Sequence, residues 1–121
     1  MFRRDARLRC KAQFDLVRGE GQSYAARTCV VNMLKAPPDE QKRAAFSISK
    51  RYSPLAVVRN RARRLFREVY RRISGELPVS WVIFVPRRKM QGAKMQEVLK
   101  DVSICLRNLG VEVSEGIGDG D

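Results

Sequence analysis

Seven arginines, Arg59, Arg61, Arg63, Arg64, Arg67, Arg71 and Arg72, fall within the stretch Val57–Arg72, accompanied by Asn60 and a single acid, Glu68. A guanidinium stays charged at any physiological pH, so it cannot shuttle protons. Its planar fork of N–H donors matches a phosphate in bidentate fashion. The chemistry on offer is therefore polyanion binding, not acid–base catalysis. The chain has no histidine, which removes Ser-His and Cys-His nucleophile systems, a histidine general base and histidine metal sites. Cys10, Cys29 and Cys105 form no C-x-x-C pair, so a zinc or thioredoxin-like site is not expected, and they read as small buried apolar residues. Asp15, Glu20, Asp39, Glu40, Glu68, Glu76, Glu97 and Asp101 fall into no magnesium-binding pattern. No catalytic and no metal-ligating residue is expected in the protein.

Those arginines need a helix to order them. At about 100° per residue, Val58, Ala62, Leu65, Phe66, Val69 and Ile73 share one face. Arg59, Arg63, Arg67 and Arg71 step along the other side with Asn60 and Arg64 beside them, and Arg61 and Arg72 sit farther round. Like charges at i,i+4 cost about 0.2–0.5 kcal/mol each. Glu68 can relieve only its neighbours Arg64, Arg71 and Arg72. The stripe lets the helix pack, and the charged band gains little from folding alone. Ser53-Pro54 reads as N-cap and first helical residue. Lys50 and Arg51 precede it, where a helix N-terminus adds affinity for anions.

The whole chain leans the same way. Its 121 residues carry a net charge of +12 and a pI near 10.5, while 44% apolar residues make it a globular composition. Such an excess repels itself unless a polyanion neutralises it, and nucleic acid is the first candidate. An anionic membrane surface is the weaker one, because no apolar run reaches transmembrane length and no aromatic-rich insertion face exists. The odd cysteine count without a signal peptide fits a reducing cytoplasm.

The remaining elements read as one domain, residues 1–109, with a basic arm over 1–10 and an acidic, disordered tail over 110–121. A first helix over 11–18 places Phe14, Val17 and Cys10 on one side and ends at Gly19 and Gly21. Strands are expected over 28–35 and 44–49, joined as a hairpin across the loop at Pro37-Pro38. After the arginine helix (55–73) come a strand over 79–85, the basic cluster Arg87-Arg88-Lys89 and a last helix over 93–109. Met95, Val98, Leu99, Val102, Leu106 and Leu109 stripe that helix. The order is α-β-β-α-β-α, an α+β class.

Ser47-Ile48-Ser49-Lys50-Arg51, followed by Ala56-Val57-Val58-Arg59-Asn60-Arg61-Ala62-Arg63-Arg64-Leu65-Phe66-Arg67-Glu68, resembles the signature of the protein subunits of bacterial ribonuclease P. The likeness extends from the basic start and first-helix Phe14 to the V-I-F-V-P-R-R-K stretch at Val82–Lys89. It implies an α/β sandwich like the second domain of a small-subunit ribosomal protein, with a left-handed crossover. It implies a protein that binds the catalytic ribonuclease P RNA and the 5′ leader of precursor tRNA. Magnesium ions would belong to the RNA-containing holoenzyme, with no cofactor on the protein alone, one protein monomer per RNA, and a cytoplasmic setting. Carried onto this sequence, the RNA-binding residues are Lys50, Arg51, Arg59, Asn60, Arg61, Arg63, Arg64, Arg67 and Arg71. The leader cleft is Phe14, Val17, Arg18, Asn32, Ser47 and Ser49. Arg18 and Asn32 stand where many members carry aromatics, so this cleft is expected to rely on charge and hydrogen bonds more than on stacking. From the residues alone, a non-catalytic RNA-binding protein of ribosome or RNA assembly stays open.

Overall fold

The apolar run Trp81–Val85 belongs to a strand that is buried on both faces, so it must sit inside a sheet rather than at its edge. The computed structural model describes residues 7–113. Its elements are α1 (Lys11–Glu20), β1 (Gln22–Ala25), β2 (Cys29–Lys35), β3 (Arg43–Phe46), α2 (Ala56–Ile73), β4 (Ser80–Pro86) and α3 (Met95–Asn108). Short 3-10 turns at Ser74–Glu76 and Arg88–Met90 flank β4. The four strands form one sheet in the order β1-β2-β4-β3.

Two expectations give way here. The hairpin between the second and third strands does not form. β4 lies between them, antiparallel to β2 from Cys29↔Pro86 to Lys35↔Ser80 and parallel to β3 from Arg43↔Trp81 to Phe46↔Phe84. The most apolar strand takes the centre, and the parallel β3–β4 pair is reached through the α2 crossover that parallel pairing demands. The hairpin partner of β2 is instead β1, a fully exposed edge strand that no apolar pattern announces. Gly21 makes the junction between α1 and β1 possible. A Cβ there would stand 2.5 Å from the carbonyl oxygens of both Met33 and Val17, so only glycine lets the end of α1 lie this close to β2.

Strand alternation sorts side chains to two faces. Cys29, Val31, Met33, Val82 and Phe84 join the buried sides of α2 and α3 in the larger core. Phe66 packs its ring 5.6 Å from Phe84 and 6.0 Å from Phe46, centroid to centroid. The opposite face is smaller: Leu34, Trp81 and Ile83 meet Val17 of α1 and Leu8. Leu8 also donates its N–H to the Ala44 carbonyl at 3.0 Å, so the end of the basic arm covers the β3 edge. The rest of that arm, residues 1–6, lies outside the described residues.

Smaller corrections follow from packing. Leu55, not Ser53, is the N-cap residue of α2, and the Ser53 hydroxyl accepts the Leu55 N–H at 3.1 Å one turn earlier. Cys10 is exposed at the start of α1, while Cys29 and Cys105 are buried as expected. The contact with Cys105, together with burial, pushes the Cys29 thiol up, so it stays a neutral core group. The tail begins later than its composition suggests, because Val111 and Val113 are buried in the larger core. Residues 114–121 lie outside the described residues.

Candidate nucleic-acid interface

Because β3 and β4 run parallel, their C-terminal ends emerge side by side. From β3 comes the loop carrying Ser47, Ser49, Lys50 and Arg51 into α2; from β4 comes Arg87-Arg88-Lys89. Crevices outside the carboxyl ends of parallel strands are natural binding sites. Here Ser47, Ser49, Arg51, Tyr52, Val85, Pro86 and Arg88 line a shallow pocket of about 240 Å³. Arg88 was absent from the expected site, since only the strand register brings it to Arg51. Lys50 and Arg51 are both exposed. The N-terminus of α2 receives no side-chain cap and has no acid in its first turn, so its field remains positive.

Along α2 the apolar stripe is buried as expected at Ala62, Phe66, Val69 and Ile73, with Tyr70 added. Outside that stripe the arginines divide into three groups. Arg59 and Arg61 are half-buried and tied to backbone. The guanidinium of Arg59 donates to the Ser53 carbonyl at 2.9 Å and that of Arg61 to the Ala93 carbonyl at 2.6 Å. Arg71 and Arg72 share Glu68, the Arg72 Nε lying 3.2 Å from its Oε2. Hydrogen bonds from Arg71 and Arg72 hold the Glu68 carboxyl below the usual carboxylate range, and Glu68 in turn raises Arg71. So Arg71, expected to face RNA, already has an acid partner. Arg64 was expected to share Glu68 and does not.

The third group is the open one. Arg64 and Arg67 are exposed, and among the described residues no acid or acceptor holds them. Arg63 donates to Asn60 Oδ1 at 3.0 Å, which leaves the Asn60 amide N–H groups and most of the Arg63 fork available. Asn60, Arg63, Arg64 and Arg67 therefore form a one-sign surface whose charge the protein does not neutralise.

The proposed cleft residues fall on the α1 face of the sheet, with differences among them. Asn32 is half-buried in β2 opposite Ile83, a member of the smaller core against which Phe14 packs. Ser47 extends the β3 ladder, its N–H donating to the Phe84 carbonyl at 2.9 Å. Phe14 is half-buried, and the Arg18 guanidinium carbon lies 5.5 Å from its ring centroid. That cation already uses one ring face. Val17 is 1% exposed and out of a ligand's reach. Ser49 is not on a strand; it joins Ser47 and Arg51 in the pocket at the strand ends.

At the other end of the sheet, Asp39 accepts from the Trp81 Nε1 at 3.0 Å and from Arg43. Burial pushes the Asp39 carboxyl up, but hydrogen bonds from Arg43, the Gln41 N–H and Trp81 outweigh it and hold the group below its ordinary value. These partners rigidify a loop and project nothing outward. Among the described residues no three or more His, Cys, Asp or Glu side chains gather into a metal-binding group. No helix there is long and apolar enough to cross a membrane.

Comparison with known proteins gives the same picture. Residues 2–110 match the family described as Ribonuclease P. A ribonuclease P protein component from Gluconacetobacter diazotrophicus is 30% identical over 117 residues, covering 95% of this chain and 100% of that protein. One from Clostridioides difficile is 27% identical and covers 93% of this chain and 98% of its own length. Among solved structures, the ribonuclease P protein of Staphylococcus aureus superposes with a TM-score of 0.77 at 23% identity, over 88% of this chain and 96% of that one. That of Thermotoga maritima gives 0.70 at 26%, over 85% and 94%. An arginine helix on a β-β-α-β crossover, matched by sequence over nearly its whole length, places this chain in the family of ribonuclease P protein components.

Proposed function

We propose that this chain works as the RNA-binding subunit of ribonuclease P, gripping the catalytic RNA through α2 and the 5′ leader of precursor tRNA through the opposite sheet face. Membership of the family makes it the protein subunit of an enzyme of tRNA processing, with the ribonuclease P RNA as partner. The observation that carries the RNA surface is the unneutralised group Asn60, Arg63, Arg64 and Arg67. It is continuous with Lys50, Arg51 and Arg88 at the positive N-terminus of α2. Arg59 and Arg61 set the helix against its neighbours and offer their remaining N–H groups to the same partner. Guanidinium groups bind phosphates and position the backbone, which is a role in assembly rather than bond breaking.

For the leader, the half-open α1 face offers Phe14, Arg18, Asn32 and Ser47, with Ser49 at its end. An unpaired strand can lay phosphates on Arg18 and hydrogen-bond to Asn32 and the serines. Val17 supports Phe14 from beneath. We assign the magnesium ions to the RNA, because the chain's described acids do not converge, and derive no step through a metal on the protein. One protein per RNA in the cytoplasm completes the reading.

The test is cleavage of precursor tRNA at low magnesium by a bacterial ribonuclease P RNA, with and without the protein, and with the protein alone as control. Restored correct 5′ cleavage only when both are present supports the reading. RNA binding that never aids cleavage would favour a general RNA-assembly protein. Cleavage by the protein alone would overturn both.

A further inference from the structure

Next to the arginine band lies a cavity that the charged surface does not explain. Tyr52, Val57, Val58, Arg61, Arg64, Gln91 and Gly92 line an open hollow of about 480 Å³ between the first turns of α2 and the segment after β4. That volume is within the range of about 300–1,000 Å³ typical of small-molecule sites. Its wall is held in place from both sides. Gln91 donates its Nε2 to the Tyr52 carbonyl at 2.7 Å, and Arg61 donates to the Ala93 carbonyl at 2.6 Å. Gly92 sits at φ +86°, a left-handed conformation that favours glycine, and a Cβ there would meet nothing within 4 Å. The wall at that point is bare backbone facing open space.

Val57 is 69% exposed. Single exposed apolar residues are ordinary. This one, however, shares a cavity with an aromatic ring and two arginines, and no acid is among the lining residues. A hollow lined by apolar side chains and two arginines suits a group that is apolar on its faces and anionic at its edge. Such a group is a nucleotide. The Gln91 side chain adds a polar contact. Its amide orientation is fixed, because only the NH2 end can donate to the Tyr52 carbonyl, and this leaves Oε1 as an acceptor. An acceptor there can take a donor N–H from the edge of a base, either an exocyclic amino group or a ring imino N–H.

We propose that this cavity holds one unpaired nucleotide of the ribonuclease P RNA, its base against Tyr52 and Val57 and its phosphate on Arg64. The site rests on the reading of α2 as the RNA-binding helix and adds a shape-specific contact to a surface that otherwise reads only charge. It would fix the register of the RNA on the helix, because a row of arginines alone tolerates sliding.

The experiment measures binding of the full chain to ribonuclease P RNA at fixed salt. Tyr52→Leu and Val57→Ser remove the base platform without changing charge, and each is expected to weaken binding about tenfold, as loss of a stacked base does. Val79→Ser, at an exposed apolar position away from the cavity, is the control. Val57→Ser keeps the test valid if Tyr52→Leu folds poorly, since residue 57 lies on the surface. A benzophenone amino acid at position 57 should crosslink to one unpaired nucleotide. Replacing that nucleotide by an abasic residue should weaken the wild-type protein about tenfold but leave the Tyr52→Leu protein nearly unaffected. If Tyr52→Leu and Val57→Ser bind as tightly as wild type while Arg64→Ala binds less well, the cavity proposal is overturned and the RNA-binding helix stands. Crosslinks confined to base-paired RNA would overturn it too. If Arg64→Ala also has no effect, the reading of α2 itself falls.

Discussion

The two long helices on the larger core, α2 and α3, solve the same packing problem and then part company. Each buries one stripe against the sheet: Phe66, Val69 and Ile73 from α2, and Val98, Leu99, Val102 and Leu106 from α3. Their outer sides differ. α3 carries Glu97 and Asp101 against Lys100 and Arg107, a balanced set that water solvates. Asp101 is even turned to internal use, accepting the Thr28 N–H at 3.0 Å and the Thr28 hydroxyl at 2.6 Å. α2 carries seven arginines against Glu68 alone. Burial explains why both are helices, and only a polyanion explains why one of them is charged this way.

The largest effects should come where the helices are alike. Phe66 and Leu99 are 0% and 1% exposed. Phe66→Ala is expected to cost about 3–5 kcal/mol and Leu99→Ala about 2–5 kcal/mol, read as loss of thermal or denaturant stability. If either protein melted like the wild type, the buried halves would not be equivalent.

The outer faces should separate the helices completely. Replacing Arg64 and Arg67 together by alanine is expected to weaken RNA binding at least tenfold. The log–log salt slope should fall by about 1 per arginine removed, with thermal stability unchanged. The matching pair on α3, Lys100→Ala with Arg107→Ala, should leave affinity within about twofold. Equal losses from the two helices would mean that the surface attracts RNA through net charge alone, with no preferred face.

Arg61 sharpens the contrast because it belongs to both categories. Helical spacing places it off the apolar stripe, which suggests a purely external role. In the structure it is half-buried and bonds to the Ala93 carbonyl just before α3. Arg61→Ala should therefore lose RNA affinity and about 1 kcal/mol of stability together. Arg64→Ala should lose affinity alone. A stability change in the second but not the first would reverse their assignments.

The sequence made α2 legible because a period near 3.6 is local and the arginines are unmistakable within it. It also exposed the β4 run, whose apolar content announces burial. What it hid depended on distant partners. Two neighbouring strands separated by a proline loop look like a hairpin, and nothing between residues 28 and 49 reveals that β4 will enter between them. β1 reads Gln22-Ser23-Tyr24-Ala25, too short and polar to signal a strand. An edge strand exposed along its length needs only backbone pairing with Met33–Val30. The same non-local register brings Arg88 to Arg51 and Gln91 to Tyr52, so half of each cavity was invisible. Val17 is the opposite case: its spacing from Phe14 puts both on one face, as the structure has them, but depth along that face is a tertiary property.

Within α2 the smallest test concerns its own single acid. Glu68 holds Arg71 and Arg72, which makes the last turn of the helix resemble α3 rather than the rest of α2. Glu68→Gln should release both guanidinium groups and tighten RNA binding by a factor of about two to three, consistent with one added phosphate contact at moderate salt. Acid should reach the same state only with difficulty. The folded carboxyl titrates below its ordinary value, so the ion pairs are intact above the usual carboxylate range and are lost only as pH falls through the lowered value. With no histidine in the chain, no imidazole changes charge between about pH 5 and about pH 8. RNA affinity measured across that interval should be flat for wild type and Glu68→Gln alike, the two curves parallel and offset. A step near neutral pH in the wild type alone would mean that Glu68 is protonated far above the range its two arginine partners allow. The ion pairs that set the end of α2 apart from its middle would then be absent in solution.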